Sequence, residues 1–145
     1  MSEFKPAFRR RARYLALQEL YQWHVSKASA HEIESQFLTD QDTTKVDKLY
    51  FHELLHQVTD RLEEIDGALE PLLDRLIKDL TPVEKAILRM GTYELLHRID
   101  VPGRVIINEG VELAKSFGAS EGHRYVNGVL DKLARHLRHS EMASR

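Results

Sequence analysis

Two groups of residues in this 145-residue chain have types and spacing that can do chemistry. The first is His52-Glu53-Leu54-Leu55-His56. On a helix, H-E-x-x-H sets two imidazoles one turn apart to hold zinc, with the glutamate beside them to activate a metal-bound water. A catalytic zinc of this kind also needs a third protein ligand and a walled cleft. At 100° per residue, His52 and His56 lie on the arc of Thr59, Asp60 and Glu63, away from the apolar arc of Leu54, Val58 and Leu62. Both histidines are therefore expected to face solvent and to hold adventitious metal at most. His24, His31, His97, His123, His136 and His139 show no ligand spacing, and there is no cysteine to supply a thiolate. No glycine pattern of the dinucleotide or Walker kind brings backbone donors to a phosphate. No catalytic residue, metal ligand or cofactor is assigned, and the chain is expected not to be an enzyme.

The second group is basic. Lys5, Arg9, Arg10, Arg11 and Arg13 stand against Glu3 alone in the first 13 residues, a formal +4, while the rest of the chain is a formal -6 within a total of -2. Four cations at a helix N-terminus oppose the macrodipole, at a few tenths of a kcal/mol each when exposed. They fan round the first turns, too widely to pair with carboxylates one turn on. Phosphate accounts for them better: arginine offers it bidentate donors, stacks on unpaired bases and keeps its proton. A nucleic-acid partner is the reading this arm favours over a merely solvated one. A membrane surface fits less well, because the arm lacks a long apolar face.

These groups need elements to hold them. Apolar residues, 42% of the chain, recur at helical spacing throughout, and no clean alternation argues for a strand. The chain is read as all-α, about seven helices with short links. The first runs from about Ala7 to Lys27 and carries two apolar stripes, Ala12, Leu15, Ala16, Leu20 and Trp23 on one side and Tyr14, Leu17, Tyr21 and Val25 on another. Either this helix is largely buried, or Tyr21 and its neighbours form a docking surface. Ser29 and Glu32 form a capping box for the second helix, and Gln41 to Thr44 reads as a loop.

A third helix is expected from Val46 to about Asp66, interrupted by Gly67 and Pro71, and a short fourth one carries Leu72, Leu73, Leu76 and Ile77. Thr81-Pro82-Val83-Glu84 starts the fifth, with Thr81 as N-cap and Glu84 closing the box. Its apolar residues, through to Ile99, point to nearly every side, as in a central element. A sixth helix, about Val105 to Phe117, ends where Gly118 can turn left-handed. A seventh, from about Glu121 to His139, buries Tyr125, Val126, Val129, Leu130, Leu133 and Leu137 ahead of a polar tail, residues 140–145. Gly110 and Gly128 inside these helices suggest close crossings. No apolar stretch reaches the roughly 20 residues of a membrane span, charge stands where a signal peptide needs its apolar region, and the chain is read as cytoplasmic.

The stretch from Ile107 to Leu133, INEGVELAKSFGASEGHRYVNGVLDKL, resembles the signature of the NusB family of bacterial transcription antitermination factors. The likeness extends to RRRAR at Arg9 to Arg13, ELYQW at Glu19 to Trp23, DKLYFHELL at Asp47 to Leu55 and VEKAILRMGTYELL at Val83 to Leu96. Within the signature, Asn108, Glu109 and Asn127 read as polar pins between the last two helices. The resemblance implies one NusB-like RNA-binding domain over residues 1–145, built as two small packed helical bundles, about 7–80 and about 81–139, without catalytic activity. It implies binding to the single-stranded boxA segment of nascent ribosomal RNA, together with the small-subunit ribosomal protein NusE, in an antitermination complex with RNA polymerase. The family's arginine-rich motif matches Arg9, Arg10, Arg11 and Arg13, with Lys5 just ahead; Arg75 and Lys78 extend the RNA track; Tyr21 and Glu84 match the protein-docking positions. Leu72 stands where some relatives carry an aromatic residue that stacks on a base. Three matters stay open at this point: monomer or homodimer, a helical protein-interaction adaptor without RNA specificity, and a zinc hydrolase acting through His52-Glu53-x-x-His56.

Overall fold

The computed structural model describes residues 5–40, 42–118 and 122–143. Among them are eight α-helices and no strand, so the all-α expectation holds. They are α1 (Pro6–Ser26), α2 (Ala30–Asp40), α3 (Lys48–Asp60), α4 (Leu62–Leu69), α5 (Pro82–His97), α6 (Gly103–Phe117), α7 (Gly122–Leu137) and α8 (His139–Ala143), with 3-10 turns at Glu70–Leu72 and Ile77–Asp79. Contacts gather them into two units that part between Asp60 and Arg61. The expectations that name Glu3, Gln41 and Glu121 fall outside the described residues.

In the first unit, α1, α2 and α3 pack on one another. Pro6 opens α1 where its missing N–H costs nothing, and Lys27 closes it in the left-handed region, φ 66°. The Ser29–Glu32 capping box forms in both directions, at 3.1 and 3.2 Å. Asp47, rather than Val46, starts α3: its carboxylate accepts from the Tyr50 amide at 3.1 Å, while its own amide donates to the Phe8 carbonyl at 3.1 Å. Phe37 of α2 stacks on Phe51 of α3 with ring centroids 4.7 Å apart.

The third helix is shorter than expected. It stops at Asp60, where the Thr59 hydroxyl donates to the carbonyls of Leu55 and His56 and Arg61 takes a non-helical φ of -109° and ψ of 30°. Gly67 then lies inside α4 and interrupts nothing. The expected fourth helix is also absent. Leu72 and Ile77 belong to separate 3-10 turns, Leu73 is extended, and Leu76 is exposed.

In the second unit, α5 contacts α4, α6 and α7 and buries nine residues, which makes it the centre of this unit. The Thr81–Glu84 capping box is complete, and Asp66 of α4 accepts two hydrogen bonds from Arg89 of α5, at 2.8 and 2.9 Å. Ile99 lies beyond the helix end and is exposed. Leu130 of α7 fills the space left by two glycines. A Cβ on Gly91 would come 2.7 Å from it, and one on Gly110 2.5 Å. Gly110 is thus a close crossing as expected, but Gly128 is exposed with nothing near its missing Cβ. Gly118 ends α6 in an extended conformation, φ -98°, not a left-handed one; a Cβ there would lie 2.8 Å from the Ala114 carbonyl oxygen.

Only Glu109 of the three supposed pins is buried, whereas Asn108 and Asn127 are exposed. Residues 140–143 are not a polar tail but part of α8, which buries Met142. The residue before it explains why. Arg138 is buried and donates to the carbonyls of Glu94, Leu95, Arg98 and Val101, capping the C-terminal end of α5, and its ion-pair partner Glu141 accepts from the Gly103 amide at 2.6 Å.

Candidate nucleic-acid interface

The arginines of α1 do not fan freely into water. Arg9 and Arg13 are one turn apart, and both lie over the Tyr50 ring of α3, at 4.1 and 5.3 Å from its centroid. Arg9 also reaches Asp47 at 3.8 Å. Arg13 is only 4% exposed. This pairing is not legible in the sequence, because a helical projection of α1 carries no information about an aromatic ring on α3.

Lys5, Arg10 and Arg11 are exposed. Lys5 lies over the Phe8 ring at 4.8 Å, and Arg11 donates to the Lys45 carbonyl at 3.2 Å while staying within 6.0 Å of the same ring. The arm thus has an outer set of cations and an inner pair laid on an aromatic support. On the same helix Tyr14, Tyr21 and Val25 are exposed, Tyr21 by 42%, while Leu17 is buried. The second apolar stripe therefore divides: Leu17 joins the core, and its neighbours form an apolar surface.

The remaining candidates lie in the second unit. Arg75, between the two 3-10 turns, donates to Asp74 at 2.8 Å and lies 4.3 Å from the centroid of the Tyr125 ring. Tyr125 is half-buried rather than fully buried, and its hydroxyl donates to Asp74 at 3.1 Å. The hydrogen bond from Arg75 holds the Asp74 carboxyl below the usual carboxylate range. Beside this group is a shallow hollow of about 190 Å³ lined by Leu72, Asp74, Arg124, Tyr125, Gly128, Val129 and Lys132. Lys78 is exposed. Glu84 is half-buried and already engaged by its capping box, so its outward face is set by the helix start.

The H-E-x-x-H residues differ from expectation. His52 is exposed, but the His56 side chain is only 21% so, and both rings turn toward Glu34 of α2, whose side chain is 12% exposed. Glu34 was not a candidate in the sequence. The buried Ile33 and Phe37 on either side of it were the available sign that this face of α2 meets α3.

The NusB family model matches residues 10–135. Transcription antitermination protein NusB of Pseudomonas fluorescens is 59% identical over 138 residues, 95% of this chain and 83% of that protein. Its counterpart in Alcanivorax borkumensis is 56% identical over 140 residues, 97% and 93% of the two chains. Among solved structures, T. maritima NusB has a TM-score of 0.78 at 27% identity, covering 92% of this chain and 93% of that one. A crystal structure of antitermination factors NusB and NusE in complex with dsRNA has a TM-score of 0.75 at 27% identity, covering 91% and 99%.

Proposed function

The chain belongs to the NusB family, and from that premise we propose that it is a cytoplasmic, RNA-binding transcription antitermination factor. It acts as one NusB-like domain on the boxA segment of nascent ribosomal RNA, together with the ribosomal protein NusE, and supports processive transcription by RNA polymerase. It has no reaction to catalyse, since the family is not enzymatic.

The observation that carries this reading is the outer set of cations on α1. Lys5, Arg10 and Arg11 are exposed at the start of α1, where cations oppose the helix dipole. They grip phosphate, while Arg9 and Arg13, laid on Tyr50, hold the helix so that the grip is pre-formed. Arg75 and Lys78 contribute further contacts from the second unit, and the hollow beside Leu72 and Tyr125 offers a place for a base edge. Tyr21 and Glu84 are the docking positions for NusE.

The test is binding of this chain to a boxA-like strand and to a scrambled strand of equal length, with and without NusE. Phosphate contacts position and base contacts specify, so the boxA strand should bind more tightly and NusE should widen the difference. Equal binding of both strands in the presence of NusE would sink the reading. No helix among the described residues is long and apolar enough to cross a membrane.

A further inference from the structure

We propose that Glu34, His52 and His56 form a zinc-class metal site that staples α2 to α3. The ligand atoms are in place. His52 Nδ1 lies 2.9 Å from Glu34 Oε1 and 2.8 Å from Oε2, and His56 Nε2 lies 2.8 Å from Oε1. One atom from each of the three residues falls within 4.8 Å of the other two. A four-coordinate ion with ligands at about 2.0–2.1 Å needs them about 3.3 Å apart. Each nitrogen–oxygen distance therefore has to open by only about half an ångström to admit the ion.

Helix geometry makes the arrangement. The i, i+4 spacing puts both imidazoles on one face of α3, and the rings stack with centroids 4.1 Å apart and planes 25° apart, so their ligating nitrogens turn to the same carboxylate. Glu34 and His56 are largely shielded, which limits competition from water, while the exposed His52 leaves an opening for the ion and a fourth position for a water. Two imidazoles and one carboxylate suit zinc and its first-row neighbours; calcium and magnesium prefer oxygen alone.

The proton balance is simple. Without metal the carboxylate accepts from both rings. An ion takes the lone pair of His52 Nδ1 and of His56 Nε2, and each neutral ring carries its hydrogen on the other nitrogen, so neutral rings release no net proton. Glu53, the residue that would activate water in a zinc protease, is not a ligand here. The ion's work is to fasten two helices, and it gives the three residues a common purpose that RNA binding does not.

The test uses the full chain without any affinity tag, stripped of metal and titrated with zinc against a chromophoric chelator. One equivalent should bind with Kd below about 1 µM. Glu34→Gln and His52→Gln, checked for native helicity by circular dichroism, should each weaken it by about 100-fold or more. His136→Gln should leave it unchanged. Zinc at 100 times its Kd should raise Tm by about 5–10 °C in the parent chain and not in Glu34→Gln. Binding weaker than about 1 µM, or binding unmoved by either substitution, would show a surface histidine collecting adventitious ions and would overturn the site.

Discussion

Arg10 and Arg13 are three positions apart, yet burial gives them opposite roles. Arg13 has its stem packed in the protein and its guanidinium against Tyr50, so Arg13→Ala should cost about 1–2 kcal/mol of stability in a denaturant titration. Arg10 is exposed, and Arg10→Ala should change stability by less than about 0.5 kcal/mol while weakening RNA binding. Two glycines make a similar contrast. Gly110→Ala drives a methyl toward the fully buried Leu130 side chain, which must shift within the core, and should destabilise by about 1–3 kcal/mol. Gly128→Ala meets open space in mid-helix and should stabilise by up to about 1 kcal/mol. Thermal unfolding of the two variants side by side checks both signs.

At the level of elements, the end of α5 matters as much as its start. Thr81 satisfies the amide of Glu84, and Thr81→Ala should cost about 1 kcal/mol. At the C-terminal end the Arg98 amide donates to the Glu94 carbonyl, and Arg138, brought in from the end of α7, donates to that carbonyl and to those of Leu95, Arg98 and Val101, while α8 supplies the glutamate that pairs with it. Arg138→Met keeps the apolar stem but takes the side-chain donor from the buried Leu95 and Val101 carbonyls, and should cost roughly 3 kcal/mol. The larger loss should come from the residue farther along the chain. Urea denaturation of both variants decides it, and a smaller loss for Arg138→Met than for Thr81→Ala would refute this account of α8.

For the molecule as a whole, the expected behaviour is electrostatic. If Lys5, Arg10 and Arg11 meet about three phosphates, log affinity should fall with log salt at a slope of about -2.1, and engagement of Arg75 and Lys78 as well would bring it to about -3.5. The double variant Arg10→Ala/Arg11→Ala should flatten the slope by about 1.4. Measuring affinity at several salt concentrations gives both numbers, and a flat response in the parent chain would rule out phosphate contact as the source of affinity. Tyr21→Asp places a charge on an apolar surface and should abolish binding to NusE while sparing RNA binding by the isolated chain.

Local signals in the chain were enough for the helices whose ends are written in neighbouring residues. Pro6, the Ser29–Glu32 box and the Thr81–Glu84 box each act within four positions, so they can be read without knowing what lies opposite. The same locality made the cationic arm and the NusB signature legible. What escaped depends on partners distant in sequence: Tyr50 under Arg9 and Arg13, Glu34 between His52 and His56, Arg138 at the end of α5, and Leu130 against Gly91 and Gly110. A helical projection says which residues share a face, but burial, pKa and ligation arise from what the neighbouring helix brings to that face. Packing alone settles that.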